Sequence, residues 1–147
     1  MRKGLFMLLG IFAVNAMVAG VVLADKKEDV MALLNKGQAY IQKNGMEKAK
    51  EAFTTEEFKN GDLYIFAYDY NGVCVAHGVV PKKIGKNFYN LKSPEGKYHV
   101  QTLIDIAKKG GGWYEYRWIN PKTKKMQDKV SYIMPIKGQD SFIASGY

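Results

Sequence analysis

Asn71-Gly72 stands between two runs of aromatic and branched residues, Asp62 to Tyr70 and Val73 to Val79. No other short feature constrains the fold as tightly. A two-residue type I′ turn needs positive φ at both central positions, and Asn-Gly meets that demand more readily than other pairs. Such a loop also sets the register: Tyr70 is predicted to face Val73, Tyr68 to face Val75, and Phe66 to face His77. One sheet face then carries Tyr64, Phe66, Tyr68, Tyr70, Val73, Val75 and His77; the other carries Leu63, Ile65, Ala67, Cys74 and Ala76. Both faces are largely apolar, so the pattern demands cover on both sides.

Ahead of this hairpin the apolar period is 3.6. Val30, Leu33, Leu34, Gly37 and Ile41 share one face of a helix predicted over Lys26 to Asn44, with Asp25, Glu28 and Asp29 near the positive end of its dipole. Asn44-Gly45 is a plausible stop. Met46 to Phe53 reads as a short second helix, and Thr54 to Phe58 as one further turn. Beyond the hairpin, Pro81 to Leu91 has no clean period and reads as a loop with a turn or two of helix. Ser93-Pro94-Glu95 predicts the start of a crossing helix with the stripe Val100, Leu103, Ile104 and Ala107, ended by Lys108-Lys109-Gly110. A second hairpin, Trp113 to Ile119 and Gln127 to Met134, surrounds the turn-rich Asn120-Pro121-Lys122-Thr123. Lys137 to Asp140 is a further turn, and Ser141 to Tyr147 a closing strand. The expected class is α+β: a five-stranded antiparallel sheet with a long N-terminal helix and a crossing helix packed on it.

Residues 1–24 read as an export signal. Arg2 and Lys3 precede an uncharged run from Gly4 to Val22, and Val22-Leu23-Ala24 offers a small-residue cleavage site. The expectation is a periplasmic protein cut after Ala24, with one domain over residues 25–147; the competing reading keeps the run as a membrane anchor. Without Arg2 and Lys3, 20 basic residues face 14 acidic ones. The lysines are scattered rather than gathered into a basic stripe, so the excess argues for a solvated surface and against nucleic acid. Cys74 is the single cysteine, which excludes an internal disulfide; it reads as a small buried hydrophobe. His77 and His99 have no metal-ligand spacing to each other or to Cys74, and no nucleophile motif or phosphate-cradling loop is present. No metal, no cofactor and no catalysis are expected.

Several separate motifs, in order along the chain, resemble the single Cache domain. They are Asp62-Leu63-Tyr64-Ile65-Phe66-Ala67-Tyr68-Asp69, Asn71-Gly72-Val73, Ala76-His77, Ile84-Gly85-Lys86-Asn87 and Ser93-Pro94-Glu95-Gly96-Lys97-Tyr98. The run GGGWYEYRWINPKTKKMQDKVSYIMPIKG, from Gly110 to Gly138, carries the most specific part, and Phe142 to Tyr147 closes it. The resemblance implies a PAS-like sheet and an extracytoplasmic sensor pocket, often for short carboxylates such as acetate, propionate, lactate or pyruvate. It also implies kinship with the sensor parts of membrane chemoreceptors and kinases, and so a membrane receptor as a candidate partner. With no further segment after Tyr147 in the sequence, a free-standing Cache protein is the expectation. Departures from the pattern fall at Gly78 (commonly proline), Ser93 (usually aspartate) and Ala144 (usually glycine); they bear on the ligand more than on the fold.

Candidate ligand-binding residues follow from the strand faces and from the resemblance. His77, on an aromatic face, is either a donor to an anionic ligand or a core histidine bonded to backbone. Tyr116 and Trp118, with Tyr114, share a face that either lines a carboxylate site or packs the core. Arg117, on the other face, is either a carboxylate partner or an exposed cross-strand partner of an acid. The resemblance implies a ligand-binding lysine at Lys129, just before Ser131-Tyr132, and Tyr132 and Tyr98 complete the set. The expected function is non-catalytic binding of a small organic anion. The alternative is an exported interaction protein whose pocket is filled by its own side chains.

Overall fold

The computed structural model describes residues 12–147. Helix α1 (Phe12–Asn44) is followed by α2 (Met46–Ala52) and a 3-10 turn, Glu56–Phe58. Strands β1 (Lys59–Asn60), β2 (Leu63–Tyr64), β3 (Phe66–Asp69) and β4 (Cys74–His77) come next, then a second 3-10 turn at Pro81–Lys83. Helix α3 (His99–Lys108) leads into β5 (Gly112–Ile119), β6 (Met126–Pro135) and β7 (Ser141–Gly146). The main sheet is five-stranded and antiparallel in the order β4-β3-β7-β6-β5, with β1 and β2 forming a small ladder of their own. The expected α+β class, the long N-terminal helix and the second hairpin are all present.

Both sheet faces are covered, as the two-sided apolar pattern requires. Helices α1 and α2 bring Val30, Leu34, Ile41, Ala49 and Phe53 against Ile65, Ala67, Ala76 and Ile143 on one face. Helix α3 brings Val100, Leu103, Ile104 and Ala107 against Phe66, Tyr68, Ile133 and Phe142 on the other. Each fully buried Val, Leu, Ile or Phe side chain among them contributes roughly 1.5–3 kcal/mol relative to exposure. From residue 19 onward, burial on α1 begins at Val30; residues 19–29 are exposed.

The first hairpin departs from the expected turn. Gly72 has φ +85°, but Asn71 is not among the residues at positive φ, so the turn is not type I′. The Gly72 amide donates to the Asp69 carbonyl (3.0 Å) and the Asp69 amide to Val73 O (3.0 Å), which makes a three-residue loop, Tyr70-Asn71-Gly72. Asp69 decides the outcome: its Oδ1 accepts from the Asn71 and Val73 amides at 3.0 and 2.8 Å, an Asx turn that competes with the tighter loop. The longer loop inserts a bulge. Phe66 faces His77 as expected, yet Tyr68 faces Cys74 rather than Val75. Cys74 therefore packs with Tyr68 on the α3 side, and Val75 packs on the α1 side, the reverse of the expected faces.

The crossing helix also starts later than expected. Ser93-Pro94-Glu95-Gly96 is a tight turn: the Gly96 amide donates to Ser93 O (2.8 Å) and the Lys97 amide to Ser93 Oγ (3.2 Å). Gly96 at φ +80° stops any helix begun at Pro94, and α3 begins at His99. The capping chemistry of Ser93 is real, but it closes a loop instead of opening a helix.

Candidate functional site

Between the α3-side face of the sheet and the segment 81–100 lies a cavity of about 230 Å³. Its walls are Tyr64, Phe66 and Tyr68 from β2 and β3, His77 from β4, Tyr116 and Trp118 from β5, Lys129 from β6, and His99 and Val100 from α3. Lys83, Phe88, Leu91 and Ile119 close the rest. Among the described residues no acidic side chain lines it.

Strand alternation and register explain which candidates meet there. Tyr116 pairs directly with Lys129 across β5 and β6, and the Tyr116 hydroxyl bonds Ser131 Oγ at 3.0 Å. Lys129 is only 8 % exposed, and its ammonium lies 5.9 Å from the centre of the Tyr64 ring. His77 sits on Phe66's side, stacked near Tyr64 (5.2 Å between rings) and Phe66 (6.1 Å). His99, from the first turn of α3, stacks on Trp118 (4.6 Å) and meets Tyr116 (4.4 Å). Four of the expected residues, His77, Tyr116, Trp118 and Lys129, thus converge.

Three do not. Arg117 faces the opposite side, half-exposed, with its Nε 3.3 Å from Asp128 Oδ1. Tyr132 lies one residue out of phase with Lys129 and Ser131, so it points to the α1 side and packs edge-on against Trp113. Tyr98 is exposed beside Lys92 and lines no part of the cavity. Tyr64, Phe66, Tyr68, Lys83 and His99 are wall residues absent from the expected set. The alternation that put the first three on His77's face was a signal for them. Lys83 and His99 sit in or just after irregular segments, where no period marks a face.

The electrostatics of the cavity favour an anion. Burial pushes the Lys129 ammonium below its usual pKa, with the Asp62 carboxylate acting the other way. Burial does the same to Lys83. Among the described residues no carboxylate lies within ion-pair distance of either lysine. Burial, reinforced by the Lys83 charge, depresses His77 to about 3 and His99 to about 4. Both are neutral imidazoles at neutral pH. The Val80 amide donates to His77 Nδ1 at 3.1 Å, which places the imidazole proton on Nε2 as a donor. Tyr64, Tyr68 and Tyr116 hydroxyls are held protonated by burial. A ring of donors and two cations, walled by aromatic surface, can desolvate and hold an anion.

The depressed histidines give a testable pH dependence. The unfolded chain takes up these protons near pH 6.5, whereas the folded one does so only near 3 to 4. Their contribution is fully present above about pH 6.5 and is lost as pH falls through that window. The slope is up to about 1.4 kcal/mol per pH unit for each histidine. Urea unfolding at pH 7 and pH 5 should show the loss, and His99→Phe should reduce it by about half. An unchanged slope in that variant would place the titration elsewhere.

A long helix, a five-stranded antiparallel sheet and a donor-rich cavity under a crossing helix define a PAS-like sensor domain. The chain belongs to the Single Cache domain 2 family, whose profile matches residues 24–147. It is 32 % identical over 124 residues to the sensor histidine kinase MctS of Rhizobium johnstonii, covering 78 % of this chain and 27 % of that protein. It is 31 % identical over 85 residues to the methyl-accepting chemotaxis protein CtpM of Pseudomonas aeruginosa, covering 57 % of this chain and 15 % of that one. The chain thus spans about a quarter or less of these relatives. A methyl-accepting chemotaxis protein of Vibrio parahaemolyticus superposes with TM-score 0.76 at 26 % identity, covering 92 % of this chain and 96 % of that one. A Cache chemosensory domain described for carboxylic acid recognition has the same fold (TM-score 0.68, 20 % identity, 87 % and 96 % covered). Cache domains are extracytoplasmic ligand-sensing modules, and the parts of the relatives matched here are sensor domains. Among the described residues no helix is long and apolar enough to cross a membrane.

Proposed function

We propose that this domain binds a small organic anion of the short-carboxylate class in the periplasm, without chemistry, and presents its bound state to a membrane receptor. The observation that carries this is the cavity with two half-buried or buried lysines, neutral histidine and phenol donors, and no carboxylate of its own. A carboxylate entering it replaces its lost water with Lys129 and with donors already oriented by the fold. The volume is below that of pockets for drug-sized molecules, which suits a metabolite of a few carbons. Carboxylic acid recognition by a Cache domain of the same fold supports the same class. The test is a thermal-shift screen of short carboxylates, amino acids and purines. At 100 times the dissociation constant a true ligand adds about 2.7 kcal/mol, hence roughly 10 °C for a domain of this size. No shift with any short carboxylate overturns the reading; a stable complex with another protein would then favour the interaction-protein alternative.

Export with cleavage after Ala24 belongs to the same proposal. Residues 19–24 are exposed, and nothing lies within 4 Å of the position a Cβ would take on Gly20. A chain beginning at Asp25 is therefore expected to melt within about 1 °C of the full-length one, because residues 19–29 of α1 are exposed and Val30 is its first buried residue from there on. Intact mass of the protein from the native envelope should begin at Asp25. A full-length mass in the membrane fraction would mean that the segment is retained as an anchor.

A further inference from the structure

We propose that β5 is the interface of a homodimer, in which two copies pair this strand antiparallel about Tyr116 and merge their sheets. The strand ends the order β4-β3-β7-β6-β5, and among the described residues no other strand pairs with its outer edge. An unpaired edge invites another strand, and folds usually blunt it with a bulge, a proline, a lysine or a very short strand. β5 has none of these. Gly112–Ile119 runs for eight residues in unbroken register with β6 and contains neither lysine nor proline. A cleft of about 360 Å³, lined by residues 114–117 on one side and by Ser93, Glu95 and Lys97 on another, keeps the loop before α3 off the middle of the strand.

The hydrogen-bond phase of β6 decides which backbone groups of β5 face outward. Val130 exchanges bonds with Tyr147 (2.9 and 3.1 Å), so it turns to β7, and its neighbour Lys129 turns to β5. Tyr116, opposite Lys129, turns its own amide and carbonyl to β6. Glu115 and Arg117, and with them Trp113 and Ile119, turn theirs outward. A two-fold axis through Tyr116 sets Glu115 opposite Arg117 of the second copy, and Trp113 opposite Ile119, each pair occurring twice. Every outward amide and carbonyl of these four residues then has a partner. The same register sets Tyr114 opposite Trp118. Opposite charges and aromatic pairs directly across strands are favourable, whereas like charges are not. Moving the axis to Glu115 or to Arg117 would set two glutamates or two arginines face to face. An axis between residues would oppose side chains of different faces, which a regular ladder does not allow. The favoured register also covers Ile119, 46 % exposed in the single chain, with the Trp113 indole.

Analytical ultracentrifugation of the protein over a range of concentrations tests this, on the parent, on Glu115→Arg, on Arg117→Glu and on the double variant carrying both exchanges. The parent is expected to dimerise. Each single exchange sets like charges opposite one another in both symmetric pairs and should weaken the dimer at least tenfold. The double variant restores opposite charges and should regain most of the parent affinity. An equimolar mixture of the two single variants should also dimerise, because each arginine of one chain then faces a glutamate of the other. A parent that stays monomeric at every concentration overturns the proposal. A dimer that both single exchanges leave intact overturns it as well, and places the contact elsewhere on the molecule. A double variant and a mixture as weak as the single variants overturn the register about Tyr116. Both exchanged side chains are exposed, and circular dichroism of each variant separates loss of pairing from loss of fold.

Discussion

Gly72→Val is expected to destabilise the domain by about 3 kcal/mol or more, and so to lower its melting temperature by at least about 10 °C. Two costs combine. At φ +85° a β-branched residue is strained, by roughly 1–3 kcal/mol. In addition, a Cβ at this buried position would lie 2.6 Å from Tyr89 Cβ and 2.8 Å from Tyr89 Cα and N. The Tyr89 backbone cannot retreat cheaply, because the Phe88 amide donates to Gly72 O at 2.8 Å and Asn87 Nδ2 donates to Asn71 O at 3.0 Å. The loop 85–91 is thereby fastened to the hairpin tip, and the cavity wall at Phe88 and Leu91 depends on it. Asn71→Val is the control: with Asn71 outside the positive-φ region, it should shift the melting temperature by only a few degrees. Equal losses in both variants, read by thermal circular dichroism, would restore the type I′ turn and its unbulged register.

That control also marks what the sequence could and could not carry. Alternation between β2 and β4 revealed an aromatic face with His77 on it, because side-chain period is a local property and one-sided burial enforces it. The bulge was invisible because Asp69 chose between two turns by a side-chain hydrogen bond, a difference of about 1 kcal/mol that no period reflects. The phase of β6 was misjudged for a related reason. Lys129 lines the cavity and Ile133 packs on the α3 side while Tyr132 packs on the α1 side, yet both phases of that strand contain apolar and hydroxyl residues, so composition does not choose between them. Lys83 ends a 3-10 turn and His99 opens α3, each next to an irregular segment where no period marks a face. The capping motif at Ser93 was read correctly as chemistry and wrongly as geometry, since Gly96 turns the chain before a helix can form.

Lys129→Met is expected to abolish most ligand binding while leaving the free protein as stable as the parent or more so. The side chain is 8 % exposed, over the Tyr64 ring and opposite Tyr116, and burial holds its ammonium below its usual pKa. In the empty domain this cation is desolvated without a carboxylate in ion-pair contact, so exchanging it for a thioether of similar length removes a cost and keeps the packing. In the filled domain the same exchange leaves a carboxylate against aromatic rings with its main counter-ion gone. Truncating one partner of a buried charge pair costs about 2–5 kcal/mol, so affinity should fall at least tenfold and the ligand-induced thermal shift should largely vanish. Arg117→Met provides the contrast: its guanidinium pairs with Asp128 on the opposite, exposed side, and affinity should stay within about threefold of the parent. The opposite signs are the useful part. A higher melting temperature without ligand, together with a lost response to ligand, can arise only if Lys129 is a cation kept for binding rather than for folding. A lower melting temperature with the response retained would make it a structural residue and move the anion's anchor elsewhere in the cavity.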